Sequence, residues 1–139
     1  MRTILAALLL TTGITQASAV EGKLVLYTSQ PNTDAQQTVD AFMAKYPDVT
    51  VEWVRDGTPK VMAKLAAEFE AGQPQPDVLL IADVVTMEGL KAEGRLMAYP
   101  EADVSAIDDA LVDADRTYFP TNLITTGIVY NTNAPRSEE

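Results

Sequence analysis

Three short polar segments each follow a run of apolar residues, and together they contain the side chains most able to bind a ligand. They span residues 28–33, 56–58 and 82–83. Their side chains are hydroxyls, amides and two carboxylates, which orient a ligand through hydrogen bonds but do not break its bonds unaided. Within these segments, Gly57, Thr58 and Asp83 are candidate ligand contacts, and the residues after the first apolar run can either form a turn or contact a ligand.

The turn Gly57-Thr58-Pro59 precedes a helical pattern and is compatible with two roles. Gly57 lets the backbone approach a ligand closely, Thr58 can cap the helix or turn its hydroxyl outward, and Pro59 suits the first helical position. The free N–H groups and the positive end of the helix dipole favour an anion there. A capped helix start without a ligand is the alternative, and Asp56 favours it because a neighbouring carboxylate repels an anion.

Asp56 and Asp83 are also the two acids that could support other chemistry. Asp83 follows the third apolar run, where it could coordinate a cation, hold an amino group, or cap the next helix. A carboxylate-dependent hydrolase needs two acids that face one cleft, and these are the only two that the polar segments offer. Hydrolysis is therefore an alternative to simple binding.

Composition and missing motifs exclude several classes of function. The sequence contains no G-x-G-x-x-G, Walker A or G-x-S-x-G motif. It has no histidine, the commonest general base, and no cysteine, which excludes disulfides and thiolate metal sites. A formal net charge of −10 is unfavourable for binding nucleic acid, because phosphate contacts need clusters of Lys and Arg. We predict a protein that is not an enzyme, has no resident cofactor and does not bind nucleic acid.

The spacing of apolar residues predicts that strands and helices alternate along the chain. Asn32 or Thr33 is expected to cap the first helix, while Pro47 and Gly72 lie where the first and second helices should end. The predicted strands cover residues 23–27, 49–54, 77–81 and 123–130. The predicted helices cover residues 33–46, the stretch from the Gly57-Thr58-Pro59 turn to Gly72, and residues 84–92 and 105–112.

This order of elements predicts an α/β fold with an open, mainly parallel sheet and helices on both faces, joined by right-handed crossovers. Ligands of such sheets bind at the carboxyl edge of the strands, where the strand-to-helix loops converge. All three polar segments follow predicted strands and so belong to that edge. The sheet is what must bring them together.

Residues 1–19 have the pattern of a secretory signal. Arg2 precedes an apolar run over residues 4–10, and Ala17-Ser18-Ala19 has the small-x-small form of a signal-peptidase site. The apolar run is too short to span a bilayer. We expect residues 1–19 to be cleaved on export and residues 20–139 to form a soluble periplasmic protein that is not inserted in the membrane.

Several segments, taken in order, resemble a known family. These are KLVLYTSQ, AFMAKYPDVTVEWVRDGTPKVMAKLAAE, QPDVLLIAD, LKAEGRLMAY and TTGIVYNTN. The order resembles the N-terminal part of type II periplasmic solute-binding proteins of ATP-driven (ABC) uptake systems. It looks closest to the group that binds ferric iron, phosphonates and organophosphates, and it covers essentially all of residues 20–139.

The resemblance implies two α/β lobes, a ligand held in the cleft between them, and hinge closure that presents the loaded protein to an inner-membrane ABC permease. Helix N-termini in the cleft commonly grip anionic groups in this family. Carried over by position, Ser29, Gln30, Gly57 and Thr58 face the cleft, together with Asp83. The stretch Thr125-Thr126-Gly127 then begins the crossing into the second lobe, and it adds Thr126 to the ligand-binding set.

The ligand implied by the resemblance is a small anionic solute, such as a phosphonate or a phosphate ester, with ferric iron as the alternative. Iron binders that use a histidine of the first loop would place it near Pro31, and this sequence has none. An iron site would use Asp83 as a metal ligand, together with residues of a second lobe. The chain has about half the length of a typical member, so we expect residues 20–139 to be an N-terminal lobe that stops at the interlobe crossover.

Overall fold

The computed structural model describes residues 21–124 and Gly127, and the chain divides into two compact units, Met1–Ala82 and Asp83–Glu139. The predicted signal segment, residues 1–19, lies outside the described residues. So do Thr126 and most of the strand predicted over residues 123–130. Among the described residues no helix combines the length and the apolar character that a membrane crossing requires.

The first unit has the predicted strand and helix order. Its elements are β1 (Gly22–Thr28), α1 (Asn32–Lys45), β2 (Val49–Arg55), α2 (Thr58–Glu70) and β3 (Val78–Leu80). The three strands form a parallel sheet in the order β2-β1-β3, with Leu26 opposite Trp53 on one side and Val78 on the other. The predicted α/β fold with an open parallel sheet is therefore confirmed.

Both faces of the central strand β1 are covered. Side chains of neighbouring strand residues point to opposite faces, yet Leu26 and Tyr27 are both buried. Connections from β1 to β2 and from β2 to β3 run in opposite directions across the sheet, so right-handed crossovers put α1 and α2 on opposite faces. The α1 helix packs against β2 and buries Ala35 and Val39.

The α2 helix is attached to β1 by a partly buried polar contact. The Tyr27 hydroxyl, on the face covered by α2, donates a 2.7 Å hydrogen bond to Glu68 Oε1. The same carboxylate accepts hydrogen bonds from Lys64 Nζ at 2.6 Å and from the backbone N–H of Gln75 at 3.1 Å. Burial alone would raise the pKa of Glu68, but these three hydrogen bonds outweigh it and lower the pKa.

The ends of the helices agree with the predictions at their C-termini and differ at one N-terminus. Gly72 adopts the left-handed φ of 69° just past α2, where the backbone N–H groups of Gly72 and Gln73 bond to the carbonyls of Phe69 and Glu68. The N-cap of α1 is Pro31, which makes no side-chain capping bond. The predicted cap at Asn32 or Thr33 is wrong because α1 begins one residue earlier than expected.

The second unit contains α3 (Val84–Ala92), with the bounds that the sequence predicts. Lys91, near its end, forms ion pairs with the buried carboxylate of Asp113 and, at 2.8 Å, with Asp115. The Asp113 carboxylate also accepts hydrogen bonds from the backbone N–H and the hydroxyl of Thr117. These contacts attach α3 to the loop that follows.

The helix predicted over residues 105–112 is wrong, because only Asp109–Leu111 form a short 3-10 turn. The carboxylate of Asp103 accepts a hydrogen bond from the backbone N–H of Ser105, and that of Asp108 accepts one from Ala110. Aspartate side chains that bond the backbone two residues ahead compete with helical hydrogen bonds. Ser105 accordingly does not begin a helix.

Candidate functional site

Two of the three polar segments meet at the carboxyl edge of the sheet. The backbone N–H of Asp56, just after β2, donates to the carbonyl of Thr28 at 3.3 Å. The Arg55 Nε–H donates to the carbonyl of Gln30 at 2.8 Å. The end of β1 with the loop that follows it (residues 29–31) is thus joined to the end of β2 with the loop that follows it (residues 56–57) by two direct hydrogen bonds. We call these two loops loop 1 and loop 2.

Ser29 joins loop 1 to the end of β3. Its backbone N–H donates to the carbonyl of Leu80 at 3.0 Å, and its Oγ accepts a hydrogen bond from the backbone N–H of Ala82, also at 3.0 Å. The hydroxyl of Thr28 donates to the same Leu80 carbonyl. Because Ser29 Oγ is used as an acceptor, its hydroxyl hydrogen remains available to an acceptor atom of a ligand.

Gln30 has a half-buried side chain whose amide oxygen is fully buried. Its backbone N–H bonds to the hydroxyl of Thr28 at 3.1 Å, which fixes the turn out of β1. The Oε1 atom has no hydrogen-bond partner among the described residues. A buried acceptor without a donor costs about 1–3 kcal/mol, so a donor supplied from outside the described chain would stabilise this arrangement.

The N-terminus of α2 differs in detail from the prediction. Gly57 is the N-cap, Thr58 is the first helical residue, and Pro59 is the second. Of the two roles that the sequence left open for the Thr58 side chain, the structure does not show capping, because α2 has no side-chain cap and the N–H groups of Lys60 and Val61 both donate to the Gly57 carbonyl. Within residues 21–124, the Thr58 hydroxyl and backbone N–H have no hydrogen-bond partner.

Asp56 supplies the chain's own negative charge to this helix start. Its Oδ1 accepts a 2.7 Å hydrogen bond from the backbone N–H of Gly57, and its Oδ2 lies 3.5 Å from Lys60 Nζ. The bond from Gly57 is the largest of the effects that lower the pKa of Asp56. A carboxylate that stays ionised beside the positive end of α2 already provides the charge that an anionic ligand would bring.

Arg55 is a cationic residue of this edge that the sequence reasoning missed. It is the last residue of β2, is exposed, and is held across the edge by its bond to Gln30. The useful signal was its position, because this basic residue lies between the strand predicted over residues 49–54 and the polar segment 56–58. That position gave no indication of the contact with loop 1, which is 25 residues away in sequence.

Asp83 acts as the N-cap of α3 in the second unit. Its Oδ1 accepts a 2.9 Å hydrogen bond from the backbone N–H of Thr86, and its Oδ2 accepts one from the Thr86 hydroxyl. These bonds, first the one from the hydroxyl, lower the pKa of Asp83. Of the roles that the sequence left open for Asp83, helix capping is the one that the structure shows.

The described residues contain no cluster of three or more His, Cys, Asp or Glu side chains that could hold a metal ion. Of the sequence-predicted ligand residues, Ser29, Gln30, Gly57 and Thr58 lie together on loops 1 and 2 and the start of α2. Asp83 belongs to the second unit, and Thr126 lies outside the described residues.

A comparison with family profiles finds a match over most of the chain. The profile of the bacterial extracellular solute-binding proteins covers residues 28–134 of 139. The chain belongs to this family. The matched range includes every residue that the sequence predicts to contact a ligand, and membership supports an extracellular solute-binding role in ABC transport. A comparison with individual curated proteins finds no match.

Members of the solute-binding protein family generally do not catalyse reactions, and the state of the two candidate acids agrees with that. Asp56 and Asp83 both accept hydrogen bonds from helix starts, and the pKa of each is lowered. A general acid that works near neutral pH needs a raised pKa instead. The two carboxylates therefore lack the raised pKa of a general acid, and each is hydrogen-bonded at the start of a helix.

Proposed function

We propose that this solute-binding protein captures a small anionic solute, such as a phosphonate or a phosphate ester, and delivers it to an inner-membrane ABC permease. The observation that carries the proposal is the set of uncommitted hydrogen-bond donors where loops 1 and 2 meet. The Ser29 hydroxyl can donate, and the hydroxyl and backbone N–H of Thr58 have no acceptor among the described residues. An edge rich in donors suits a ligand rich in acceptor oxygens.

We extend the proposal to the signal segment, residues 1–19, and to a second lobe. Residues 1–19 would direct export and be cleaved, and residues 20–139 would act as the N-terminal lobe in the periplasm. Closure against a second lobe would enclose the ligand. N-terminal sequencing of the exported chain checks the first part, with Val20 as the expected first residue.

Thermal unfolding of the full chain with and without solutes tests the ligand class. The probes are methylphosphonate, glycerol 3-phosphate and inorganic phosphate, with glycerol as the neutral comparison. A ligand that binds only the folded state stabilises it by about 2.7 kcal/mol at a concentration of 100 Kd, so binding raises Tm with concentration. We expect the anions to raise Tm and glycerol to leave it unchanged. Stabilisation by glycerol alone would contradict the anionic class.

The variant Ser29→Ala provides a residue-level test, with Ser105→Ala as its control. Ser105 is exposed, lies in the second unit and has no side-chain hydrogen bond to loop 1 or loop 2. We expect Ser29→Ala to weaken binding of whichever anion raises Tm, and Ser105→Ala to bind it like the wild type. Equal binding by all three chains would remove Ser29 from the site.

Ferric iron is the alternative ligand, and it would be transported rather than held as a cofactor. Among the described residues, the Asp83 carboxylate is hydrogen-bonded to Thr86. An iron site would therefore need further ligands from residues that the structure does not describe or from a second lobe. Ferric citrate in the same unfolding assay tests it, with Asp83→Asn as the variant, because asparagine still caps a helix but is a weaker ligand for a hard cation.

A further inference from the structure

We propose that Arg55, rather than the start of α2, selects an anionic ligand at this edge, an inference that rests on the proposed function. The sequence placed anion recognition at the Gly57-Thr58-Pro59 turn, where the helix dipole and free N–H groups are found. The hydrogen bonds and charges in the structure instead locate an available positive charge at Arg55, the last residue of β2 and two residues before Gly57. Three observations on the first unit lead to this assignment.

The first observation is that Arg55 is held in place by the edge itself. Its Nε–H donates to the Gln30 carbonyl at 2.8 Å, so the guanidinium is oriented by loop 1 while its backbone belongs to β2. A guanidinium fixed through Nε retains its terminal N–H groups as donors. Those donors match two oxygens of a carboxylate, phosphonate or phosphate group.

The second observation is that no carboxylate neutralises Arg55 at contact distance. Among residues 21–124, no carboxylate oxygen lies within ion-pair distance of its guanidinium, although Asp56 is near enough to interact at longer range. Arg55 is also exposed, so a ligand can reach it. Its charge is therefore available at the same edge of the sheet that carries Ser29 and Thr58.

The third observation is that the start of α2 is already compensated. Asp56 accepts the N–H of Gly57 and lies 3.5 Å from Lys60 Nζ, so a carboxylate of the chain already stands beside both the helix N-terminus and the nearest lysine. Pro59 has no N–H, and Lys60 and Val61 donate theirs to the Gly57 carbonyl. In the described part of the chain, the N–H of Thr58 is the one donor of this helix start that remains for a ligand, and it supplies a hydrogen bond and no net charge.

The test compares binding of methylphosphonate and glycerol 3-phosphate, measured by isothermal titration calorimetry, in the full wild-type chain and three variants. Arg55→Gln removes the positive charge. Arg55→Lys keeps the charge but loses the paired N–H donors of the guanidinium that can bind two oxygens at once. Lys60→Gln is the matched control, because it removes a cation of the same edge that is paired with Asp56. We expect a loss of affinity of about tenfold or more for Arg55→Gln, a smaller loss for Arg55→Lys, and a change within about twofold for Lys60→Gln.

A pH series distinguishes direct contact between Arg55 and the ligand from a role in which Arg55 only supports loop 1. Phosphate monoesters lose their second proton near pH 6, and the chain has no histidine to titrate in that range. Wild-type affinity should rise between pH 5 and 8 as the ligand becomes a dianion, and Arg55→Gln should flatten this rise. Loss of loop support alone would lower the affinity equally at every pH. Circular dichroism melting shows whether each variant is folded. If Arg55→Gln does not fold, Arg55→Lys takes its place in the binding comparison.

Asp56→Asn gives an independent prediction of opposite sign. Asparagine keeps an oxygen to accept the Gly57 N–H but removes the negative charge beside Arg55. We expect it to bind the anions more tightly than the wild type. Weaker binding would mean that the carboxylate itself holds the ligand, and the inference would fail.

The remaining outcomes separate the two proposals. Wild-type affinity in Arg55→Gln, or an equal loss in Lys60→Gln, would overturn the role of Arg55 and leave the anion-binding function in place. Binding of glycerol in preference to both anions, or binding of no anion by the wild type, would overturn the proposed function and this inference with it.

Discussion

The contact between Tyr27 and Glu68 gives the sharpest prediction about what holds α2 against the sheet. Tyr27 is 2 % exposed, and its hydroxyl bonds to a carboxylate that is also bonded by Lys64 and Gln75. Tyr27→Phe removes this hydroxyl and leaves the ring in place. A hydrogen bond to a charged group contributes about 1.5–3 kcal/mol, so we expect the variant to lose about 2 kcal/mol of unfolding free energy.

Tyr46→Phe is the matched control for this substitution. Tyr46 contacts Phe42 with its ring, with centroids 4.9 Å apart, and its hydroxyl has no hydrogen-bond partner among the described residues. The same chemical change should therefore alter stability by less than about 0.5 kcal/mol. Urea unfolding at pH 7, followed by circular dichroism, measures both variants.

The pH dependence of the Tyr27→Phe effect follows from the lowered pKa of Glu68. A carboxylate whose pKa is lower in the folded state contributes stability above its unfolded pKa of about 4.3, and loses that contribution as the pH falls through the folded value. The destabilisation caused by Tyr27→Phe should therefore shrink in acid. Equal stability of Tyr27→Phe and Tyr46→Phe at pH 7 would refute the reasoning.

Three further predictions concern helix ends and the second unit. Asp83→Ala should cost about 1 kcal/mol of unfolding free energy through loss of the α3 N-cap, while Asp83→Asn should cost much less, as urea unfolding would show. Gly72→Ala should destabilise by about 1 kcal/mol because φ is 69° there, whereas Gly89→Ala, inside α3 with open space for a methyl group, should stabilise by about 0.5–1 kcal/mol. Lys91 is the main partner that holds the pKa of Asp113 well below its usual range, so the folded protein loses stability as the pH falls and Asp113 is protonated. Lys91→Met removes this partner, and the stability of the variant should therefore depend less on acid pH.

The regular elements of the first unit could be predicted because short-range patterns determine them. Val49–Arg55 alternates side chains over β-branched residues, and the apolar residues of α2 recur at helical spacing before Gly72. The parallel sheet followed from the alternation of strands and helices. In this part of the chain the packed structure agrees with the local preferences of the residues. The spacing of apolar residues was therefore sufficient to predict the strands and helices.

The contacts of the site could be predicted only in part, because they depend on which loops touch. Placing Ser29 and Thr58 at one edge followed from the topology of a parallel sheet. The bond from Arg55 to Gln30 joins residues far apart in sequence, and no local pattern encodes it. The failure of the helix over residues 105–112 has a different cause, since Asp103 and Asp108 bond to nearby backbone N–H groups that a helix would need.

The neighbouring residues Arg55 and Asp56 have opposite charges and are held by different partners. This difference explains how an anion site can lie beside the carboxylate of Asp56. Arg55 is the last residue of β2, and its side chain is held by the carbonyl of Gln30 in loop 1. Asp56 follows the strand, and its side chain turns to the Gly57 N–H at the start of α2. A carboxylate beside a proposed anion site is unfavourable if the helix start is the source of positive charge for the ligand. Because the Asp56 carboxylate is bonded to the helix start and Arg55 has no close ionic partner within residues 21–124, the charge of Arg55 is available, and its position predicts where the ligand's negative group binds.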